Sequence, residues 1–354
     1  MRRAFEHARR GLGRTSPNPI VGACIVTDEG IVVGDGAHER AGEPHAEVFA
    51  LEEAGAQARG ATLYCTLEPC SHIGRTGPCT ERIIAAGIKR VVAAMEDPFP
   101  AVSGRGLAIL RNHGIAVDAG VERDQAVRLN QPYLTTLRDG RPFVILKAAT
   151  SLDGRLAVAE GVRTQLTSSA SARHAHYQRA QVDAIGIGSG TLLVDDPVMT
   201  PRHVYRERPL TRVIFDRRLR ASPSARLFST LSAGPVIILT SPEAKLLHAE
   251  RADALERAGA TLEVVEPSMG AAMRALARRG IQSVLLEGGA GLHQAAWNEG
   301  LVDYLQLYVA PMFLGAAGPC MAAGPASAVT SLLEPNVQAL GPDVLIEGYV
   351  HRPH

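Results

Sequence analysis

The sequence predicts an α/β protein built from two successive domains. Its 354 residues are about twice the usual length of one domain. Short apolar runs that suit strands alternate with segments of helical spacing, a pattern typical of layered α/β folds. The run Asp139-Gly140-Arg141-Pro142 interrupts this alternation, because glycine and proline break regular structure. We therefore expect domains at residues 1–142 and 143–354.

The first half begins with a short helix and a turn. Gly11 and Gly13 close the predicted helix at 2–10, and the two prolines of Ser16-Pro17-Asn18-Pro19 predict a turn. Residues 121–140 have the spacing of a helical connector to the second half. The other predicted elements are strands at 20–26, 31–33, 61–66, 91–95 and 115–117, and helices at 45–55, 79–86 and 107–111.

The second half repeats the alternation of strand and helix over a longer stretch of chain. No G-x-G-x-x-G motif opens it, so a Rossmann domain is not predicted. The predicted strands are 143–149, 183–187, 213–215, 236–239, 262–265, 283–286 and 304–309, and the predicted helices are 169–180, 243–258, 270–279 and 292–299.

Composition excludes several classes of protein. Hydrophobic residues make up 46% and charged residues 21%, as in ordinary globular chains. With 37 basic and 36 acidic residues the net charge is +1, which argues against a nucleic-acid partner. No apolar run reaches the ~18 residues of a membrane span, and the N-terminus lacks the apolar segment of a signal peptide. We expect a cytoplasmic protein without membrane partners, and a homo-oligomer is compatible with the sequence.

Three side chains in the first half have the chemistry of a zinc site. His45 opens a predicted helix, Cys70 follows a strand after Pro69, and Cys79 begins another helix. One imidazole and two thiolates leave the fourth tetrahedral position of Zn²⁺ open for water, which is typical of catalytic sites. Glu47 lies two residues after His45 and could move protons without binding the metal, as in zinc deaminases.

A structural zinc site and a chance cluster are the alternatives to a catalytic centre. A structural site would normally have a fourth protein ligand. Cys65 is available but falls within a predicted strand, and we interpret it, Cys24 and Cys320 as small core residues. Five cysteines in so long a chain do not indicate a disulfide scaffold.

The motifs of the first half resemble one known family closely. The two cysteines are separated by eight residues, in place of the two residues usual in nucleoside deaminases. The segments are Thr15-Ser16-Pro17-Asn18-Pro19, His38, Ala41-Gly42-Glu43-Pro44-His45-Ala46-Glu47, Thr66-Leu67-Glu68-Pro69-Cys70-Ser71-His72, Gly74-Arg75-Thr76 and Pro78-Cys79. Together they resemble the deaminase domain of the bifunctional deaminase/reductases of riboflavin biosynthesis. The resemblance implies a three-layer fold like that of cytidine deaminase.

The same resemblance implies a pyrimidine substrate that carries a ribosylamino 5-phosphate. It places Asn18, His38, His72, Arg75 and Asp97 at this substrate. An asparagine can pair with a pyrimidine edge, and arginine and histidine can hold a phosphate. The chain departs from the family pattern at Ile73, usually a polar residue, and at Phe99, usually an asparagine.

Motifs of the second half resemble the reductase domain of the same family. They are Lys147-Ala148-Ala149-Thr150-Ser151-Leu152-Asp153-Gly154-Arg155, Arg179-Ala180, Asp183-Ala184-Ile185, Thr191-Leu192-Leu193-Val194-Asp195-Asp196-Pro197 and Leu285-Leu286-Glu287-Gly288-Gly289-Ala290-Gly291. The last motif is a strand, a glycine loop and a helix start, where backbone N–H groups can approach a phosphate. The resemblance implies a dihydrofolate-reductase-like fold that uses NADPH to reduce the opened ribose.

The resemblance also implies which residues of the second half bind ligands. Arg217 could pair with the 2′-phosphate of NADPH, and Arg179 and Arg202 could grip the ribose phosphate with their planar guanidinium groups. The implied NADPH contacts are Ala149, Gln165, Thr191, Asp195, Arg217, Gly289, Ala290 and Gly291. The implied substrate contacts are Arg163, Arg179, Met199, Arg202 and Glu287.

Two of these positions depart from the family pattern. Gln165 stands where the family usually has a tryptophan against the cofactor, so that aromatic packing is lost. Arg163 stands where the family usually has a serine near the substrate, and we expect it to add a cation for the ribose phosphate.

Three functions compete for these motifs. The first is a bifunctional riboflavin-biosynthesis enzyme that deaminates the pyrimidine with zinc and then reduces its ribosyl chain with NADPH. The second is a zinc deaminase of another nucleobase or of tRNA with an accessory C-terminal half, which the wide cysteine spacing and the balanced charge disfavour. The third is a zinc-stabilised binding module, which the presence of Glu47 disfavours.

Overall fold

The chain forms two structural units, each with its own sheet. The computed structural model describes residues 1–71, 77–100, 102–321 and 331–353. The first unit spans Met1–Arg138, and the second spans Asp139–Arg352. His72, Ile73 and Arg75, expected near the substrate, lie outside the described residues.

The described residues of the first unit form five strands and six α-helices, and the last helix continues one residue into the second unit. The sheet order is β2-β1-β3-β4-β5, with β1 antiparallel to β2 and β3, and β3, β4 and β5 parallel. The strands are β1 (Gly22–Val26), β2 (Val32–Ala37), β3 (Thr62–Cys65), β4 (Arg90–Ala93) and β5 (Ala116–Ala119). The helices are α1 (Arg2–Ala8), α2 (Ala46–Ala54), α3 (Cys79–Ala85), α4 (Arg105–Asn112), α5 (Arg123–Leu129) and α6 (Gln131–Asp139).

Glycines allow helices to pack closely on both faces of this sheet. A Cβ atom at Gly22 would lie 2.0 Å from the Ala4 carbonyl oxygen of α1, and one at Gly36 would lie 1.9 Å from the Ala46 carbonyl oxygen of α2. Gly36 is paired with Ala23, the neighbour of Gly22, so the two glycines face opposite sides of the sheet. The first unit is therefore a three-layer sandwich, as expected.

The part of the second unit that the structure describes has nine strands, of which seven are parallel. Their order is β10-β9-β8-β7-β11-β6-β12-β14-β13, and the antiparallel pairs are β12 with β14 and β14 with β13. The strands are β6 (Phe143–Thr150), β7 (Ala184–Gly188), β8 (Thr211–Phe215), β9 (Val236–Thr240), β10 (Ala260–Val264), β11 (Ser283–Glu287), β12 (Tyr304–Val309), β13 (Leu333–Leu340) and β14 (Asp343–Tyr349). The helices are α7 (Ser169–Gln181), α8 (Ser189–Asp195), α9 (Pro242–Leu247), α10 (Ala249–Arg257), α11 (Met269–Arg278) and α12 (Ala290–Asn298).

Alternating apolar residues give the second sheet two buried faces. Leu286 of β11 packs in one cluster with Met273 of α11 and Ala296 of α12, whereas the adjacent Leu285 packs in another with Leu255 of α10. Successive side chains of a strand point to opposite faces, so helices cover both sides. This arrangement leaves the carboxyl ends of the parallel strands open for a site.

The predicted order of elements is found, with four differences. Strand β2 extends to Ala37 because Gly34 and Gly36, which resemble a turn in sequence, pack beneath α2. The helix predicted at 243–258 is two helices that meet at His248, whose ψ of 45° is not helical. Helix α8 and the β13–β14 hairpin were not predicted. None of the helices among the described residues has the length and apolar character needed to cross a bilayer.

Candidate active sites

His45, Cys70 and Cys79 converge in the first unit. His45 is the N-terminal cap of α2, and Cys79 is the first residue of α3, so both are fixed by helix starts. The His45 Nδ1 atom lies 3.4 Å from Cys70 Sγ and 3.3 Å from Cys79 Sγ. All three ligand atoms lie within 4.8 Å of one another. Ligands of a tetrahedral zinc ion with bonds of about 2.0–2.3 Å are separated by similar distances, so the donor set fits zinc.

Glu47 lies beside this cluster with an unpartnered carboxylate oxygen. Only 3% of the residue is exposed, and Oε2 has no hydrogen-bond partner in the part of the chain that the structure describes. Burial raises the pKa of Glu47 to about 7. A hydrogen bond from Cys79 and another with His45 lower the pKa of the Cys70 thiol. A buried oxygen without a partner is costly, which suits a group that works on a bound water or substrate.

Asn18 and His38 lie together next to the candidate zinc ligands. The Asn18 Nδ2 atom donates to His38 Nε2 at 2.9 Å, and His38 Nδ1 then donates to the Pro44 carbonyl at 3.1 Å. The His38 ring is edge-on to the His45 ring, with 5.3 Å between their centroids. Burial lowers the pKa of His38, which favours this neutral form.

Asp97, an expected substrate contact, is held by hydrogen bonds within its own unit. Its Oδ1 atom accepts hydrogen bonds from the Phe99 backbone N–H at 2.9 Å and from the Tyr133 hydroxyl at 3.0 Å. These contacts give Asp97 a role in its own turn. The exposed Phe99 keeps this turn through its backbone alone, which any residue other than proline could supply.

Glu68 is a buried residue of this site that the sequence reasoning did not identify. Its carboxylate accepts backbone N–H bonds from Asp97, Gly104, Gly106 and Leu107 at 2.8–3.3 Å. Glu68 therefore joins the segment that carries Cys70 to the start of α4. The signal in sequence was an acid just before Pro69-Cys70, where it serves as a remote helix cap.

A cavity of about 940 Å³ opens at the carboxyl ends of the parallel strands in the second unit. It is lined by residues from the ends of β6 and β11, from α7 and α8, and from the loops that follow β6 and α8. Every residue that the resemblance assigns to this unit lines it except Arg217: Ala149, Arg163, Gln165, Arg179, Thr191, Asp195, Met199, Arg202, Glu287, Gly289, Ala290 and Gly291. The structure thus brings together residues that are up to 142 positions apart in sequence.

An adjoining cavity of about 590 Å³ contains Arg217 and shares Thr191, Gly289 and Gly291 with the first. Two further arginines, Arg218 and Arg220, line it. Asp216 and Thr240 also line this cavity. The Asp216 Oδ1 and Thr240 Oγ1 atoms are buried and have no hydrogen-bond partner among the described residues. A glycine loop and three arginines suit a long phosphorylated ligand such as NADPH.

Arg179 does not have the geometry predicted for a phosphate grip. Its guanidinium forms a two-point ion pair with Glu287, with Nε–Oε1 at 2.8 Å and Nη2–Oε2 at 2.6 Å. The fork that would hold a phosphate is therefore directed to a carboxylate. Burial acts to raise the pKa of Glu287, but the adjacent Arg179 lowers it more strongly, and the resulting pKa is about 2.

Arg202 keeps the end of its side chain available. Its Nε atom lies 3.1 Å from His176 Nε2, while its two Nη atoms have no hydrogen bond within the described part of the chain. Burial, with the nearby Arg179 and Arg202, lowers the pKa of His176 to about 4, so the ring is neutral near pH 7. Arg202 is thus the better placed of the two predicted cations for a phosphate.

The positions that depart from the family pattern both line the larger cavity. Arg163 is exposed and interacts electrostatically with Asp195. Burial raises the pKa of Asp195. Gln165 donates from Nε2 to the Thr167 carbonyl at 2.9 Å, which closes its own loop. The amide therefore stabilises the loop instead of supplying an aromatic surface to a cofactor.

Lys147 is the second functional candidate that sequence reasoning missed. It lies on β6 directly opposite Glu287 of β11, lines the larger cavity, and has no hydrogen bond to a described residue. Its Nζ atom lies 5.3 Å from the centroid of the Tyr308 ring. The sequence signal was a lysine within an otherwise apolar central strand, where a charge is costly unless it has a role.

Both halves of the chain match known protein families. Residues 1–95 match the family described as "Cytidine and deoxycytidylate deaminase zinc-binding region", and residues 142–346 match "RibD C-terminal domain". The chain is 41% identical to the riboflavin biosynthesis protein RibD of Bacillus amyloliquefaciens over 349 residues, covering 97% of this chain and 94% of that one. It is 40% identical to RibD of Escherichia coli K12, covering 92% and 90%.

Solved structures of two relatives have the same fold over almost the whole chain. Acinetobacter baumannii RibD matches with a TM-score of 0.87 at 38% identity, covering 98% of this chain and 96% of that one. A Thermotoga maritima protein described as a diaminohydroxyphosphoribosylaminopyrimidine deaminase/5-amino-6-(5-phosphoribosylamino)uracil reductase matches with a TM-score of 0.86 at 34% identity, with the same coverage.

Proposed function

This chain belongs to the RibD family of riboflavin-biosynthesis proteins, and from that premise we propose which residues carry its two reactions. It is a bifunctional enzyme, a zinc-dependent deaminase followed by an NADPH-dependent reductase. We assign the deaminase to residues 1–142 and the reductase to residues 143–354. The substrate is a small phosphorylated pyrimidine, and we propose that it is 2,5-diamino-6-ribosylamino-4(3H)-pyrimidinone 5′-phosphate.

His45, Cys70 and Cys79 would hold zinc in the deaminase. When bound, zinc supplies Lewis acidity that makes water a nucleophile near neutral pH. Glu47 takes a proton from the attacking water and passes protons to the ring nitrogen and to the departing ammonia. Asn18 offers its amide to the pyrimidine edge, and the neutral His38 fixes the orientation of that amide. His72, Arg75 and Asp97 remain proposed substrate contacts on resemblance alone.

In the reductase, NADPH when bound supplies the hydride for C1′ of the ring-opened ribose. Reduction of a C=N bond also needs one proton on nitrogen, and we assign its delivery to the Lys147 ammonium group. Glu287 lies opposite Lys147 and places a negative charge near the iminium cation that forms when Lys147 protonates the imine nitrogen. Arg179 fixes Glu287 from the far side, and Arg202 and Arg163 hold the ribose phosphate.

The glycine loop and its surroundings would hold the cofactor. Thr191 accepts the Gly289 N–H at 3.0 Å, which fixes the start of α12 towards the cavity. Ala149, Asp195, Ala290 and Gly291 line the same cavity, and Arg217 in the adjoining one would take the 2′-phosphate. Gln165 supports this region through its loop.

Two observations carry the assignment. Glu47 is buried beside a His-Cys-Cys donor set, and its Oε2 atom has no hydrogen-bond partner among the described residues. The second unit has a separate cavity of a size for a dinucleotide. The purified protein with the diamino substrate should release ammonia without NADPH, and should oxidise NADPH only after deamination. Lys147→Met should retain ammonia release and lose reduction. NADPH oxidation at the wild-type rate by this variant would remove Lys147 from the mechanism.

We also propose that the enzyme works in the cytoplasm. None of its five cysteines forms a disulfide, which suits a reducing compartment.

A further inference from the structure

Lys147 is a half-buried residue of the cavity wall whose ammonium group has an aromatic ring, and no described hydrogen-bond partner, beside it. Its Nζ atom lies 5.3 Å from the centroid of Tyr308, within the range of a cation–π interaction. Strands β6 and β12 are adjacent and parallel, with Tyr308 opposite Ala149, two residues beyond Lys147 on the same face. The position of the ring is thus set by the sheet.

Tyr308 is itself fixed from the outer side. The residue is fully buried, and its hydroxyl lies 2.8 Å from Nδ1 of His174 on α7. Ala175 of the same helix packs against it in a small apolar cluster with Leu345 of β14. A ring held by a strand, a helix and a hydrogen bond cannot turn its face away from Lys147 without breaking these contacts.

Other charged groups also surround Lys147. Burial lowers the pKa of Lys147, Glu287 of β11 raises it, and Arg179 of α7 lowers it. His293 of α12 interacts with it electrostatically, and burial keeps that imidazole neutral with a pKa of about 4. Glu287 favours the ammonium form by its charge but is itself paired with Arg179. The Tyr308 ring is a second contact that favours the ammonium form.

We propose that Tyr308 is a positioning residue of the reductase, whose ring face holds the Lys147 ammonium group charged and aimed into the cavity. This inference rests on the proposed role of Lys147 as proton donor. The ring, and not the hydroxyl, is the active feature. The hydroxyl acts through His174 to keep the ring in place.

Electron-poor rings give the sharpest test, because they change the cation–π attraction while keeping the shape of the side chain. A protonated Lys147 is the active form, so reduction fails as pH rises through its pKa. Weakening the cation–π attraction favours the neutral amine, so the alkaline limb of the pH–rate profile, where kcat falls, moves to lower pH. Complete loss of the attraction would move it by about 0.4–1.5 pH units.

The experiment measures kcat and KM for reduction of the deaminated substrate from pH 6 to pH 10. The variants are Tyr308→Phe and the same position carrying mono-, di- and trifluorinated phenylalanine. Tyr308→Leu removes the ring, and Tyr304→Leu makes the same change elsewhere on β12 as a control. Ammonia release by each protein checks that the deaminase is unaffected.

We expect Tyr308→Phe to keep the wild-type alkaline limb, the fluorinated series to lower it stepwise, and Tyr308→Leu to lower kcat at least tenfold with little change in KM. An alkaline limb that does not move across the fluorinated series would overturn the inference, even if Tyr308→Leu fails to fold. If the fluorinated variants do not move the alkaline limb but Lys147→Met loses reduction, the role of Tyr308 is excluded and the proposed role of Lys147 as proton donor is retained. Normal reduction by Lys147→Met would overturn both.

Discussion

Glu47 combines deep burial with an unpartnered oxygen at the entrance to α2. We predict that Glu47→Gln keeps zinc and fold but lowers ammonia release by about 10²–10⁴-fold, because an amide of the same size cannot carry protons. Zinc content, ammonia release and reduction of deaminated substrate measure the three effects. Glu52→Gln, an exposed change on the same helix, is the matched control. Ammonia release near the wild-type rate in Glu47→Gln would exclude it as the proton carrier.

Arg163 is the residue of the reductase cavity that departs most clearly from the family pattern. We predict that Arg163→Ser raises KM for the phosphorylated substrate about 10–150-fold, since a charge-assisted bond to phosphate contributes about 1.5–3 kcal/mol. KM for NADPH should change little. Arg173→Ser, at an exposed site on α7 outside the cavity, controls for the loss of positive charge. A rise confined to the KM of NADPH would instead place Arg163 at the cofactor, which its electrostatic interaction with Asp195 would explain.

Single residues show where sequence reasoning reaches its limit. Residue type and spacing were enough to find His45, Cys70 and Cys79, because few side chains bind zinc and their helix starts are local features. Lys147 was visible only as part of a motif, since its partner Glu287 is 140 positions away and meets it through strand pairing. The engagement of Arg179 by Glu287 was hidden for the same reason.

At the scale of elements, the contact between α2 and β2 positions both His45 and Glu47. We predict that Gly36→Ala destabilises the first unit by at least about 1–3 kcal/mol. The added Cβ would clash with the Ala46 carbonyl oxygen, which can move only if the whole of α2 shifts. Zinc content and ammonia release should fall together, while reduction of deaminated substrate persists. Gly77→Ala, where an added Cβ meets no atom of a described residue within 4 Å, is the control. A stable Gly36→Ala protein with full zinc would show that α2 can shift freely.

The Arg179–Glu287 pair joins α7 to β11 and makes their packing depend on pH. The pKa of Glu287 is about 2 in the folded chain, below its ordinary 4.5, so the pair stabilises the fold above pH 4.5. That contribution, about 3 kcal/mol, is lost as pH falls from 4.5 towards 2. We predict that urea unfolding of the second unit, followed by the fluorescence of Trp297, shows this loss in wild type and much less of it in Glu287→Gln. Equal pH slopes in the two proteins would contradict the prediction.

Elements were predicted well where their pattern was local and apolar, and missed where it was not. The seven parallel strands are short apolar runs and were all expected, as buried parallel strands should be. The β13–β14 hairpin has Pro335, a left-handed Glu334 and a break of register between Leu333 and Asn336, so its sequence lacks regular alternation. Only pairing with β12 makes it a continuation of the sheet.

For the whole molecule, two units with separate cores contain separate sets of reactive residues. We predict that a mixture of Glu47→Gln and Lys147→Met proteins, each unable to complete the sequence alone, forms the reduced product from the diamino substrate. Each variant supplies the step that the other lacks, and the deaminated intermediate passes through solution. Product formation is measured against each variant alone and against wild type at equal total concentration. A mixture that releases ammonia but forms no reduced product would mean that the intermediate is not exchanged between molecules.

The four hydrogen bonds of Glu68 also have a consequence for the order in which the protein is made. All three proposed zinc ligands have been synthesised once the ribosome passes residue 79. Three of the four backbone groups that fix Glu68, and with it the Cys70 segment, belong to residues 104–107. A nascent chain therefore has its full set of metal-binding side chains before it has the scaffold that holds them. A metal ion that binds at this stage would find ligands that are not yet fixed in position. The site takes its final geometry only after α4 has been synthesised.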